Sequence, residues 1–151
     1  MADGGGVRLS IPGSGTRFIE PAWKSVLSNK GLLALLWEMF EGHPNLLPTF
    51  FEGDPRAAAL SGSYVRKPLL SREGQNISLV SDGRTAFERP GPYGAEGYVV
   101  QAHCPLPEFD GNYPMLGCWL IASEAAGMGV REDVSPFTSD DSRFIPHVIL
   151  D

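Results

Sequence analysis

Basic residues are scarce and scattered: twelve Lys and Arg against eighteen Asp and Glu leave a formal net charge of -6. Neutralising a phosphate backbone takes clustered Lys and Arg, so nucleic acid is excluded as a partner. A local pair of cations around a bound nucleotide stays compatible with this balance. Only two cysteines are present, Cys104 and Cys118. They lack metal-ligand spacing and sit in apolar, strand-like runs, where a free cysteine is expected as a small buried hydrophobe and a disulfide is not. The three histidines, His43, His103 and His147, lack the short spacing of a zinc site and read as structural. No run approaches the roughly 20 apolar residues of a spanning helix, and residues 1–15 carry no apolar leader core. No membrane association and a cytoplasmic location are the expectations.

What is present is globular in kind. Apolar residues make up 42% of the 151 and charged residues 20%, a balance that separates the chain from disordered sequences. Gly (18) and Pro (13) are frequent, which predicts many turns and short elements. Residues 1–16 read as a flexible lead-in, and Phe18 with Ile19 as the start of a short strand. From Ala22 to Phe40 the pattern is helical, with Leu32, Leu33, Leu36, Trp37 and Phe40 forming one stripe, Ser28 or Asn29 as N-cap and Gly42 as the stop. Trp23, Trp37 and Trp119 fit core positions. Residues 42–63 are punctuated by Pro and Gly and predict loop, with a helical turn at Ala57–Leu60. Strands are predicted at Tyr64–Leu69, Ile77–Val80, Thr85–Glu88, Tyr98–His103 and Met115–Ser123, with short additions at Val130 and Phe144–Leu150. Asp82-Gly83 and Asp110-Gly111 read as hairpin turns, the second between the last two long strands. The fold class is α+β: an N-terminal helix and a mostly antiparallel sheet.

Several residues stand out chemically. In Tyr64-Val-Arg-Lys-Pro68, strand alternation places Lys67 on the face of Val65. A lysine there either snorkels at a sheet edge or is held by a buried anion. Ser71-Arg-Glu-Gly-Gln-Asn76 joins two strands around a glycine, and such a hairpin can present backbone N–H groups to phosphate oxygens. Gln101, inside an apolar strand, either pairs across the sheet or borders an adenine pocket. Arg131 follows the glycine-rich Gly127-Met-Gly129. It is either one half of a surface ion pair with Glu132 or Asp133, or a guanidinium aimed at a phosphoryl group.

Taken in order, these segments resemble the glutathionylspermidine synthase family and its acid–amine ligase relatives, which have an ATP-grasp fold. The resemblance runs through Arg17-Phe-Ile-Glu-Pro-Ala-Trp-Lys24, Leu27-Ser-Asn-Lys30 and Gly42-His-Pro-Asn-Leu-Leu-Pro48. It continues through Lys67-Pro-Leu-Leu-Ser-Arg-Glu-Gly-Gln-Asn-Ile77, Asp110-Gly-Asn-Tyr-Pro114, Gly127-Met-Gly-Val-Arg-Glu-Asp133 and Ser142-Arg-Phe-Ile-Pro-His147, so residues 17–151 match the C-terminal part of that domain. The resemblance implies ATP-binding roles for Lys30 and Lys67 on the phosphates. It assigns Gln101, Ala102, His103 and Cys104 to the adenine-binding strand, where contacts are largely backbone, and it makes Arg131 the catalytic residue that stabilises phosphoryl transfer. Ser71-to-Asn76 matches the cover over the phosphates, with Ser71 where relatives often carry glycine. The implied chemistry joins a small-molecule carboxylate to an amine through an acyl phosphate, using ATP and Mg²⁺. In the family the magnesium ligands lie N-terminal to the matched region, so this chain is expected to hold none, to be inactive alone and to self-associate through uncovered apolar surface. The alternative is a non-catalytic nucleotide-binding or structural fragment.

Overall fold

Helix formation begins in two pieces because of Asn29 and Lys30. A 3-10 helix covers Ala22–Ser28, and the α-helix α1 covers Gly31–Met39. The Asn29 carboxamide oxygen accepts the N–H of Gly31 at 2.8 Å, which caps the first turn of α1. The sequence places a cap at Ser28 or Asn29 ahead of the second part of this helical stretch, and the break between the two helices falls there, with a 3-10 helix as the first part. The computed structural model describes Gly15, residues 22–60 and residues 62–150. The expected strand at Phe18 and Ile19, most of the lead-in and the Arg17-to-Pro21 part of the family resemblance lie outside the described residues.

Helix α1 meets the sheet through its smallest residues. Gly31 and Ala34 are buried, and the position of a Cβ on Gly31 lies 3.0 Å from the Phe51 ring and 3.3 Å from Leu69. The expected leucine stripe is only half-buried, and Phe40 at its end is exposed. Close approach of backbone to sheet, not bulk, sets this contact.

Eight strands follow: β1 Thr49–Phe51, β2 Ser63–Pro68, β3 Ile77–Ser81, β4 Arg84–Arg89, β5 Tyr98–Ala102, β6 Tyr113–Ile121, β7 Glu124–Asp133 and β8 Arg143–Ile145. The first five form an antiparallel sheet ordered β1-β5-β2-β3-β4, and the last three an antiparallel sheet ordered β6-β7-β8. The α+β expectation therefore holds, with two sheets in place of one. β1 lies where loop was expected, and a 3-10 helix at Pro55–Ala59 occupies the expected helical turn. Central strand β5 carries the core: Val99 is wholly buried, Val100 nearly so, and each such side chain contributes about 1.5–3 kcal/mol.

The turns explain the pairings. Asp82 and Gly83 have φ of 50° and 72°, the left-handed pair of a two-residue hairpin, and they join β3 to β4 as expected. Asp110-Gly111 also turns left-handed (φ 48° and 77°), but it closes only the local bridge between Phe109 and Asn112. It does not pair β5 with β6, which belong to different sheets. The long hairpin β6–β7 turns instead at Ala122 and Ser123, with φ of 50° and 70°, residues that advertise no turn. Cys104 and Cys118, expected buried, are exposed; so are Trp23 and Trp119.

Candidate functional site

Lys30 and Lys67 converge where α1 begins and β2 ends. The Lys30 N–H donates to the Leu69 carbonyl at 2.8 Å, so the start of α1 is tied to the exit of β2. Its ammonium donates to the Ser71 carbonyl at 3.0 Å and to the Ser71 hydroxyl at 2.9 Å. Lys67 donates to the Gln101 carboxamide oxygen at 2.6 Å, and Gln101 in turn donates to the Thr49 hydroxyl at 2.8 Å. Register dictates this row. Thr49 and Val65 both pair with Gln101, and Lys67 pairs with Val99 two residues along, so all share one sheet face. Arg66, on the opposite face, stacks over Tyr98 and pairs with Glu52.

Burial lowers the pKa of both lysines, and the charge of Lys30 lowers that of Lys67 further. Among the described residues, neither ammonium meets a carboxylate; their partners are neutral oxygens. Two half-buried cations that meet no acid among the described residues favour an incoming anion. Thr49 and the buried Gln101 fix the lower lysine's position, so the cross-sheet pairing expected of Gln101 is also what aims Lys67. The alternative placement of Lys67, snorkelling at a sheet edge, is overturned, because β2 is the middle strand of five.

The last residue of β5 is Ala102, paired with Tyr64. The Ala102 N–H donates to the Pro48 carbonyl at 2.8 Å and the His103 N–H to the Ser63 carbonyl at 3.2 Å. Two N–H groups of the expected adenine strand are therefore used inside the fold. Cys104, exposed, supplies the next N–H along the chain.

Arg131 sits in the second sheet, well inside strand β7 and not behind a glycine turn; Gly127 and Gly129 are strand residues too. It makes neither of the expected ion pairs. Glu132 pairs with Arg143, while Asp133 accepts from the Ser135 N–H, the Ser139 hydroxyl and the Ser142 hydroxyl. Arg131 donates to the Ser139 carbonyl at 2.8 Å and lies over the Phe144 ring, while its Nε is buried with no partner. It lines a cleft of about 390 Å³ together with Gly117, Trp119, Gly129 and Phe144. A guanidinium lining a cleft is suited to an oxyanion.

The sequence reading missed Arg89. From the end of β4 it donates to the carbonyls of Glu73, Phe137 and Thr138, so it links the Ser71-to-Asn76 loop to the loop following Arg131. The Arg89-Pro90 pair at a strand end gave no local sign of this. No three His, Cys, Asp or Glu side chains converge among the described residues, and the acids beside Arg131 are engaged, Glu132 by Arg143 and Asp133 by three serines. No described helix is long and apolar enough to cross a membrane.

Comparison with known proteins bears on the same residues. The chain is 48% identical over 141 residues to a Haemophilus influenzae protein described as "Putative acid--amine ligase", across 89% of this chain and 36% of that protein. Trypanothione synthetase of Crithidia fasciculata is 32% identical over 128 residues, 84% of this chain and 19% of the relative. The bifunctional glutathionylspermidine synthetase/amidase of Escherichia coli K12 is 28% identical over 132 residues, 87% of this chain and 21% of the relative. The chain thus spans little more than a third of the first relative and about a fifth of the other two. The family profile described as "Glutathionylspermidine synthase preATP-grasp" matches residues 3–150, which include the lysine pair, β5 and Arg131. Matched over nearly its whole length, the chain belongs to the glutathionylspermidine synthase family.

Proposed function

We propose that this chain supplies the phosphate-binding part of an ATP-dependent acid–amine ligase of ATP-grasp type, with ATP phosphates resting on Lys30 and Lys67. The observation that carries the reading is the convergence of two half-buried ammonium groups that meet no carboxylate among the described residues. An anion of high charge would relieve both the repulsion between them and the burial of each. Gln101 to Cys104 would border the base. Because the N–H groups of Ala102 and His103 are taken, the base would meet carbonyls and the N–H of Cys104. Arg131 would face the phosphoryl group in transfer, a role supported by its place in the lining of the cleft. ATP supplies the phosphoryl group that activates a small-molecule carboxylate toward an amine. This chain's residues hold the phosphates and offset their charge.

The domain reading follows: residues 17–151 act as the C-terminal part of a longer synthetase unit in the cytoplasm, and any Mg²⁺ is held by residues beyond those described. A titration tests the lysine pair. Lys67→Ala is expected to weaken ATP binding, followed by calorimetry on the folded chain, by about 1.5–3 kcal/mol, the range for a hydrogen bond to a charged group. Lys24→Ala on the neighbouring 3-10 helix serves as the comparison. Equal affinities of wild type and Lys67→Ala would remove Lys67 from the site.

A further inference from the structure

Two loops from different sheets meet at Arg89. One is the cover loop of residues 71–76; the other, residues 134–142, joins β7 to β8. Arg89 Nη1 donates to the Glu73 carbonyl at 3.2 Å and to the Thr138 carbonyl at 3.1 Å, and Nη2 donates to the Phe137 carbonyl at 3.2 Å. Two residues earlier on the same strand face, Phe87 stacks on Phe137 with ring centroids 4.7 Å apart. Gly74 brings the loops into backbone contact: its φ is 65°, and a Cβ there would stand 2.9 Å from both the Thr138 carbonyl and Arg89 Nη1.

Each loop is anchored on its other side to a residue of the candidate site. Ser71 holds the Lys30 ammonium. Ser139 accepts from Arg131 while its hydroxyl and that of Ser142 hold Asp133. Burial pushes the Asp133 carboxyl up, but the bonds from Ser142, Ser135 and Ser139, with the charge of Arg89, together hold it below its usual value. A continuous path of contacts therefore runs from Lys30 through Ser71, Glu73, Arg89, Thr138 and Ser139 to Arg131.

We propose that Arg89 is a positioning residue, a latch that pins the cover loop to the serine-rich loop and so sets the lysine pair relative to Arg131. The three acceptors are carbonyl oxygens on two separate loops, and only the planar fork of a guanidinium meets all three. A lysine would keep the charge and lose the fork. Glycine at position 74 is required by the same closure, since any side chain would enter the space Arg89 and Thr138 occupy. The functional part of the latch rests on the ATP reading above; the structural part does not.

Amide hydrogen exchange on the 151-residue chain separates the two. Without nucleotide, Arg89→Ala is expected to speed exchange in residues 71–76 and 135–139 by at least about tenfold, with β2 and β5 unchanged. Arg89→Lys is expected to restore only part of the protection. Gly74→Ala, which opens the same contact from the other loop and keeps the arginine, is expected to mimic Arg89→Ala and serves in its place should that variant not fold. Unchanged loops, loss of protection spread evenly through β2 and β5, or full rescue by lysine would each overturn the latch. With ATP added, wild type is expected to gain protection in both loops and Arg89→Ala only in residues 71–76. Protection of both loops by ATP in Arg89→Ala would overturn the coupling. No protection by ATP anywhere in wild type would overturn the ATP reading, while the nucleotide-free comparison still decides the latch.

Discussion

Lys67 is held where its proton is least welcome, and that has a measurable consequence at the level of the single residue. Burial, and then the charge of Lys30, lowers its pKa from the ordinary 10.5, and burial lowers that of Lys30 too. Between the lowered folded value and 10.5 the unfolded chain holds more protons than the folded one, so stability rises with pH through that window. The urea midpoint of wild type is expected to gain on that of Lys67→Met as pH climbs toward 10.5. Parallel curves would mean that Lys67 is as well solvated folded as unfolded. Arg131 calls for a different measurement, because its use is expected as charge develops on a transferring phosphoryl group. Arg131→Ala, grafted at the matching position of a longer relative, is expected to lower kcat more than it raises KM, read by phosphate release. An unchanged kcat would leave Arg131 as a residue of the cleft wall.

At the level of the element, the contact between α1 and the first sheet depends on Gly31. A Cβ there would lie 3.0 Å from the Phe51 ring and 3.0 Å from the Asn29 oxygen that caps the helix. Valine is expected to cost about 1–3 kcal/mol in chemical denaturation through crowding, although glycine is the poorer helix former. Unchanged stability would show that α1 rides loosely on β1. The same contact explains what the sequence showed and what it hid. β2, β3, β4 and β5 were legible because alternation and Asp82-Gly83 act locally, and the same alternation put Lys67 on the face of Val65. β1 was not, since a three-residue strand between prolines is formed by its pairing with β5, not by its own pattern. β7 was hidden by Gly127 and Gly129, which look like a turn but face Trp119 and Gly117 across the ladder. Its true turn, Ala122-Ser123, is set by the register of the strands it joins. Arg89 was hidden for the same reason: its three acceptors come from loops about 16 and 48 residues away, and carbonyls leave no mark in a sequence.

For the whole molecule, the two sheets are unequal, and the inequality bears on activity. The first is packed by α1 around Val99. The second carries Leu116, Trp119, Leu120 and Ile121 on β6, all more than 60% exposed, and among the described residues β6 pairs with β7 alone, which leaves its outer edge open. Nothing charged guards that strand, Tyr113 to Ile121, and an apolar open edge favours pairing with another strand. We therefore expect the 151-residue chain to self-associate in a concentration-dependent way, and Trp119→Lys to reduce it, as read by sedimentation. A second expectation rests on the metal. The acids nearest Arg131 are committed, Glu132 to Arg143 and Asp133 to three serines, and no other trio of ligands converges among the described residues. Magnesium beside a nucleotide is held by one or two free carboxylates together with the phosphates, and the acids beside Arg131 are not free. ATP held by Lys30 and Lys67 would then lack the ion that offsets phosphate charge during transfer, and amide formation by this chain alone is expected to be absent. The assay is ADP release with Mg²⁺, glutathione and a set of polyamines, run beside one of the longer relatives. Substrate-dependent release by the 151-residue chain at the relative's rate would show that residues within it complete the site, and the reading of Glu132 and Asp133 as structural acids would fall with it.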